Sequence, residues 1–192
     1  WRNRLRMIHV TEVLDWASRG ELLEWRGRVG NTEANRISKA AKKRGTEVHA
    51  AIAAVLSNKN VPKIPTEEGR IAFEAWKEWF SLQELDGNRV VEVQVEKDGL
   101  VGTPDFYTGT ELFDWKISKW PKWTWHWQCN AYLYMLDKPM MKYRIVQLHP
   151  ELGTWTEHKG HYSLKTVGAF IALYAAYGHY KEENHVATDA KK

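Results

Sequence analysis

The chain has 192 residues and a mass of 22.4 kDa, which predicts one domain at about 150 residues per domain. With 43% hydrophobic and 27% charged residues it has the composition of a globular protein, and a mainly disordered or collagenous chain is excluded. The 28 Lys and Arg against 24 Asp and Glu leave +4, which alone is weak support for a polyanionic partner because net charge constrains association and not fold.

No apolar run approaches the roughly 18 residues of a bilayer span, so no membrane partner is expected. The basic start leads into no secretory signal. A first residue other than Met suggests a trimmed or processed chain. The single cysteine, Cys129, excludes an internal disulfide, a zinc ribbon or a four-cysteine iron–sulfur site within this chain. It suggests a reducing, intracellular compartment.

Thr11 can cap a short helix through about residue 18, and a second short helix covers 21–25. Residues 38–56 form the first strong helix, with Val48, Ile52, Val55 and Leu56 as its apolar stripe. After a loop with two prolines, residues 66–85 read as a helix with Thr66 as N-cap and Ile71, Phe73, Trp76, Trp79 and Phe80 at its apolar positions. The period then changes. Residues 90–96, 100–107 and 110–117 read as strands, joined by hairpin turns at Asp98-Gly99 and Thr108-Gly109. A helix over 123–136 lies between Pro121 and Pro139. Residues 142–149 and 154–159 form a further hairpin, and 163–181 a closing helix with Val167, Phe170, Ile171 and Tyr174 as its stripe. The whole reads as one α/β domain over 1–181 with an N-terminal helical layer, followed by a polar tail, 182–192.

Charge and aromatic residues are unevenly spread. Basic residues cluster at Arg2, Arg4 and Arg6, at Arg26 and Arg28, at Lys39, Lys42, Lys43 and Arg44, and at Lys116, Lys119 and Lys122. Five of the eleven tryptophans (115, 120, 123, 125 and 127) fall within thirteen residues that also hold three lysines. Interleaved cations and flat rings suit a nucleic-acid groove. The plainer alternative, favoured by composition alone, is a Trp-rich core with solvated lysines.

Strand pairing turns the middle of the chain into geometry. With a two-residue turn at Asp98-Gly99, Lys97 faces Leu100 and Glu92 faces Asp105. With a two-residue turn at Thr108-Gly109, Tyr107 faces Thr110 and Asp105 faces Leu112, with Asp114 diagonal to it. One face then carries Glu92, Asp105, Asp114 and Lys116, and the other Val91, Val93, Val95, Phe106, Phe113 and Trp115. Three carboxylates so close repel one another unless a cation sits among them, and a hard divalent ion such as Mg²⁺ suits oxygen ligands. A solvated charged sheet face is the equal alternative on geometry alone. Pro104 cannot donate a ladder hydrogen bond, so a bulge there can shift the register. Glu111 falls on the core face, which suggests a frayed or exposed end.

At these residues the chain resembles a known superfamily. Gly102-Thr103-Pro104-Asp105, followed nine residues later by Asp114-Trp115-Lys116, resembles the PD-(D/E)XK nuclease signature. Gly45-Thr46-Glu47-Val48-His49 is similar to the G-T-x-x-H motif of its RecB-like exonuclease branch, and Gln128-Cys129-Asn130-Ala131-Tyr132 to that branch's Q-x-x-x-Y motif. The pattern is closest to that of phage recombination exonucleases and the mitochondrial genome-maintenance exonuclease. It covers roughly residues 8–150.

The resemblance implies a restriction-endonuclease-like core, a mixed central sheet flanked by helices. It implies one or two Mg²⁺ or Mn²⁺ ions held by Asp105, Asp114, the Trp115 carbonyl, His49 and Glu92, with Glu96 or Glu47 as substitutes for Glu92. Lys116 would orient or activate the attacking water, and Gln128 and Tyr132, on one helical face, would point at the scissile strand or brace Lys116. Lys42, Lys43 and Arg44 before His49, and Lys119, Trp120, Lys122 and Trp123 before Gln128, would hold the backbone and stack on bases or on an end of DNA. The cysteine cluster of the iron–sulfur members is missing, and so is the G-x-x-x-x-G-K-[ST] loop of nucleotide binders. The expectation is a stand-alone DNA nuclease, an exonuclease in preference to an endonuclease, acting in recombination, repair or phage DNA processing. Its expected partners are DNA with a free end and a single-strand-binding or recombination protein, in a bacterial or phage-infected cytoplasm or a mitochondrial matrix. The rivals are a catalytically silent DNA-binding module on the same fold, a structure-specific endonuclease, a carbohydrate hydrolase with paired carboxylates, and an adaptor.

Overall fold

The computed structural model describes residues 7–85 and 87–189; the Arg2, Arg4 and Arg6 cluster lies outside them. A short strand, β1 (Ile8–His9), leads into α1 (Val10–Ala17). This helix begins at Val10, so Thr11 sits in its first turn beside the His9 ring and does not cap it. α2 (Arg19–Val29) ends at Gly30, whose φ of 83° breaks the chain direction, and α3 (Asn31–Leu56) starts immediately after. Both helices are longer than the periodicity shows. The added turns of α3 carry almost no apolar stripe and are held to α2 by Arg26, which donates to Asn31 and Asn35.

The second half of α3 follows its apolar pattern. Val48, Ala51 and Ile52 are buried against α4 (Glu67–Ser81). Phe73, Trp76 and Trp79 on α4 pack with Phe106, Phe113 and Trp115 of the sheet into one aromatic core. Burying a tryptophan removes 150–250 Å² from water, about 4–6 kcal/mol each before the entropy of ordering. Thr66 stands at the N-cap position of α4, but its hydroxyl donates to Glu47 and not to the helix.

The strand pattern is kept in outline and broken in the middle. The first two expected strands are each cut in two, giving β2 (Val90–Val91), β3 (Val95–Lys97), β4 (Leu100–Gly102) and β5 (Phe106–Tyr107). The cut falls at Glu92, whose φ of 46° is left-handed, and opposite it at Pro104, which has no N–H for the ladder. The register survives on both sides: Lys97 faces Leu100, Val91 faces Phe106, and the Glu92 N–H donates to the Asp105 carbonyl at 3.1 Å. The faces do not survive. Val91 packs in the aromatic core, Val95 packs in the opposite core, and Val93 is 48% exposed. The expected single apolar face is corrected accordingly.

The second turn is also corrected. β6 (Glu111–Ile117) pairs with β5 as Phe106 with Phe113 and Tyr107 with Leu112, two residues from the expected register. Thr108 makes the difference. Its N–H donates to the Glu111 carbonyl at 2.8 Å, and its hydroxyl accepts from the N–H groups of Thr110 and Glu111, which closes a four-residue turn. Because the shift is even, each side chain keeps its face. Carried one residue further, the ladder sets Asp105 across from Asp114. Glu111 is on the core side as the register requires, but it is neither frayed nor exposed: Arg144 binds it through two hydrogen bonds of 2.8 and 2.6 Å.

After β6 the chain crosses over through α5 (Thr124–Met135) to β7 (Lys142–His149), parallel to β6, and returns along β8 (Thr154–His161). The five-stranded sheet has the order β2-β5-β6-β7-β8, and β1-β4-β3 form a smaller sheet. α3 and α4 cover one face of the large sheet. α1, α5 and α6 (Leu164–Asp189) cover the other. α6 continues through most of the stretch expected as a polar tail. No helix among the described residues is long and apolar enough to cross a membrane.

Candidate active site

Asp114 and Lys116 alternate with the core residues Phe113 and Trp115 on β6, so they point to the side covered by α5. Asp114 is 1% exposed and its Oδ2 lies 2.7 Å from the Lys116 Nζ. That oxygen has charge beside it but no donor aligned as a hydrogen bond. The Lys116 ammonium donates to Gln128 Oε1 at 3.0 Å, and Gln128 Nε2 donates to the Tyr132 hydroxyl at 2.9 Å. One turn of α5 thus delivers Gln128 and Tyr132 as a brace against the lysine.

Asp105 is held from two sides. Its Oδ2 accepts the Trp115 N–H at 2.8 Å, and its Oδ1 lies 3.2 Å from His49 Nδ1 on α3. Trp115 contributes this backbone contact while its indole is buried in the aromatic core. Glu92 is exposed at the edge, close enough for the Asp105 charge, added to its own burial cost, to raise its pKa. Glu96 and Glu47 are engaged elsewhere: Glu96 accepts from Gln94, and Glu47 accepts from Thr66 and lies 3.9 Å from Lys43.

The electrostatics divide the two aspartates. Burial opposes the charge on Asp105, but His49 and Lys116 outweigh it and hold its pKa below the ordinary value. Burial pushes Asp114 up to about 6; Lys116 opposes this and the Asp105 charge adds to it. Burial also opposes the charges on His49 and Lys116, and the aspartates more than offset it, so both pKa values are raised. Two carboxylates thus share one pocket with the Lys116 ammonium and the His49 ring. Cys129, buried on α5, is pushed well up by burial and stays a thiol.

Among the described residues no group of three or more His, Cys, Asp or Glu side chains is arranged to hold a metal ion. The donors that are present suit a hard one. Asp105 and Asp114 offer carboxylate oxygens, one of them buried without an aligned donor, and a Mg²⁺-type ion commonly takes one or two carboxylates from a protein. Asp105, Asp114 and, from the rim, Glu92 are the side chains that could hold it.

The residues expected to contact DNA differ in exposure and in partners. Lys42 and Lys43 are exposed on α3, while Arg44 turns to Glu68 with its side chain mostly buried. Trp120 is 71% exposed and Trp123 40%, the latter donating to Glu21 at 3.1 Å. Lys119 pairs with Glu151 at 3.1 Å, and Lys122 is exposed near Asp15. Of the five clustered tryptophans, Trp115 and Trp125 are core residues. Gly102 is a participant that the motif reading left without a role: it leaves room for the Tyr132 ring. A glycine inside a strand, where a close approach is the usual reason, was its signal.

A mixed sheet with a parallel β6–α5–β7 crossover, with Asp105, Asp114 and Lys116 at its centre, is a restriction-endonuclease-like fold. The chain is similar in fold to LHK-Exo, an alkaline exonuclease from Laribacter hongkongensis. The crystal structure of LHK-Exo in complex with dAMP matches with a TM-score of 0.50 at 14% identity, over 78% of this chain and 90% of that one. The crystal structure of SSO0001 matches with a TM-score of 0.49 at 14% identity, over 88% and 73% of the two chains. No family model and no curated protein matches the chain.

Proposed function

We propose that the protein is a divalent-metal-dependent nuclease that hydrolyses DNA phosphodiesters, acting from an end, in recombination, repair or phage DNA processing. The observation that supports this reading most is the Asp105, Asp114 and Lys116 cluster with its Gln128–Tyr132 brace. With His49 of α3 beside Asp105, four separate sequence elements converge there, which neither a solvated sheet face nor an adaptor needs.

Asp105, Asp114, Glu92 and the Trp115 carbonyl would hold one or two Mg²⁺ or Mn²⁺ ions, with His49 orienting Asp105. When bound, such an ion polarises the phosphate and makes water more acidic. Lys116 keeps its proton because the aspartates favour its charge. Its ammonium can therefore face the extra negative charge that develops on the phosphate, or orient a water by donation. Gln128 fixes the amine through one hydrogen bond and is itself fixed by Tyr132. Lys42 and Lys43 lie on the exposed side of α3, the helix that carries His49, where cations attract the backbone. The dAMP in the LHK-Exo structure is in keeping with a nucleotide ligand on this fold.

The test is digestion of end-labelled linear DNA and of covalently closed circles, with Mg²⁺ or with EDTA. Loss of linear DNA only, and only with metal, is the expected result. Nicking of circles would replace exonuclease by endonuclease action, and DNA binding without any cleavage would leave a silent module.

A further inference from the structure

β6 and β7 run parallel, so their C-terminal ends, Ile117 and Leu148, lie side by side. The segment leaving β6 and the turn between β7 and β8 meet there around a cleft of about 310 Å³, lined by Lys119, Trp120, His149, Pro150, Glu151 and Leu152. It is the size of a small-ligand pocket. Trp120, at 71% exposed, is part of its lining. Trp76, Trp79 and Trp115 in the same protein are fully buried, so the exposure of Trp120 is not a general property of this Trp-rich chain.

The backbone that carries Trp120 is fixed. The Ser118 hydroxyl donates to the Trp120 carbonyl at 2.9 Å, and buried Gln147 donates to the Ser118 carbonyl at 2.9 Å. Pro121 restricts Trp120 itself to an extended conformation. Lys119 places its ammonium 5.9 Å from the Trp120 ring centroid and 3.1 Å from Glu151. Trp120 lies four positions after Lys116, at most about 14 Å of extended chain.

We propose that this cleft is a stacking site for one unpaired nucleobase, with Trp120 as its platform, so that the DNA strand reaches Lys116 as a single strand or a frayed end. This rests on the nuclease reading above and adds the substrate class to it. An aromatic face beside a cation accepts any base without reading its sequence. A cleft of about 310 Å³ is at the small end of ligand pockets, which favours a single base, and a blunt duplex end is the alternative that the test separates.

The experiment uses the whole chain and a short single strand with an internal 2-aminopurine, in EDTA and again with Ca²⁺ in place of Mg²⁺. Quenching of 2-aminopurine and anisotropy are read together. The expected result is quenching with the wild type, its loss with Trp120→Ala and its retention with Trp120→Phe. Affinity for single strands should fall about tenfold in Trp120→Ala, with little change for a blunt duplex. Unchanged quenching in Trp120→Ala, or an equal loss for both substrates, overturns the proposal. Lys116→Ala separates the two ideas: cleavage that persists in it removes the Asp105, Asp114 and Lys116 cluster as the nuclease site, while quenching that persists in it leaves the platform standing. Failure of the wild type to bind any DNA removes both.

Discussion

A Cβ on Gly102 would lie 2.6 Å from Cε1 of Tyr132. β4 therefore touches α5 with only hydrogens between them, and the tyrosine that braces Gln128 is seated against bare backbone. Gly102→Ala should push the ring away, cost about 1–3 kcal/mol as an overpacked contact, and release Gln128 from Lys116. We expect DNA cleavage to fall by more than the loss of folded protein explains, with circular dichroism melts run beside the activity assay. Tyr132→Phe is the companion: it keeps the shape, so the melt should change little while cleavage falls.

Asp114 and Lys116 make opposite demands on stability and catalysis. Asp114→Ala and Lys116→Ala should each lower cleavage by about a hundredfold or more, with DNA binding kept. Lys116→Met should also destabilise the fold by about 3–5 kcal/mol, because it leaves a buried carboxylate without its cation. Adding Asp114→Asn to it should restore most of the loss in urea titrations.

Arg144 is a structural counterpart on the other face of the sheet. Its guanidinium donates to Glu111, Gln83 and Glu157 and lies 4.8 Å from the Phe113 ring centroid. Arg144→Met should leave the half-buried Glu111 without its cation, while Glu157 keeps Trp79 and Lys159, and cost roughly 3 kcal/mol. Cleavage per folded molecule should stay near wild type, since Asp114 and Lys116 point the other way. A large loss of specific activity would show that the two faces are coupled.

His126 and His158 predict a pH dependence. Their ring centroids are 6.4 Å apart; burial first, and then a neighbouring histidine, holds each pKa below the ordinary value. Gln147 uses its amide N–H on the Ser118 carbonyl, so its Oε1 accepts from His158 Nε2–H. A lowered folded pKa means that the unfolded chain takes up protons first. Their neutral packing is fully in place above pH 6.5, and stability falls as pH drops from there through the folded values. Asp114 and His49, whose pKa values are raised, act in the opposite direction, so the change of melting temperature from pH 7.5 to 5 is compared between proteins: the wild type should fare worse on acidification than His126→Gln/His158→Gln.

Much of the fold could be read along the chain. The α4 stripe, the Asp98-Gly99 turn, the α5 helix between two prolines and the β7–β8 hairpin depend on short-range patterns of period 3.6 or 2, and they form where those patterns lie. The even spacing of Asp114 and Lys116 was enough to place both on one face. α2 and the start of α3 were harder to see because few of their side chains are buried, which leaves little hydrophobic period to detect.

By itself the sequence determined which residue types could form the site and the order in which the chain presents them. Three outcomes depended on the tertiary structure. The Thr108 hydroxyl moved the β5–β6 register by two, the left-handed turn at Glu92 sent Val91 and Val95 into different cores, and α5 carried Gln128 onto Lys116. Each arises from a contact between segments distant in sequence or from one hydrogen bond in a turn, and local periodicity carries no record of either.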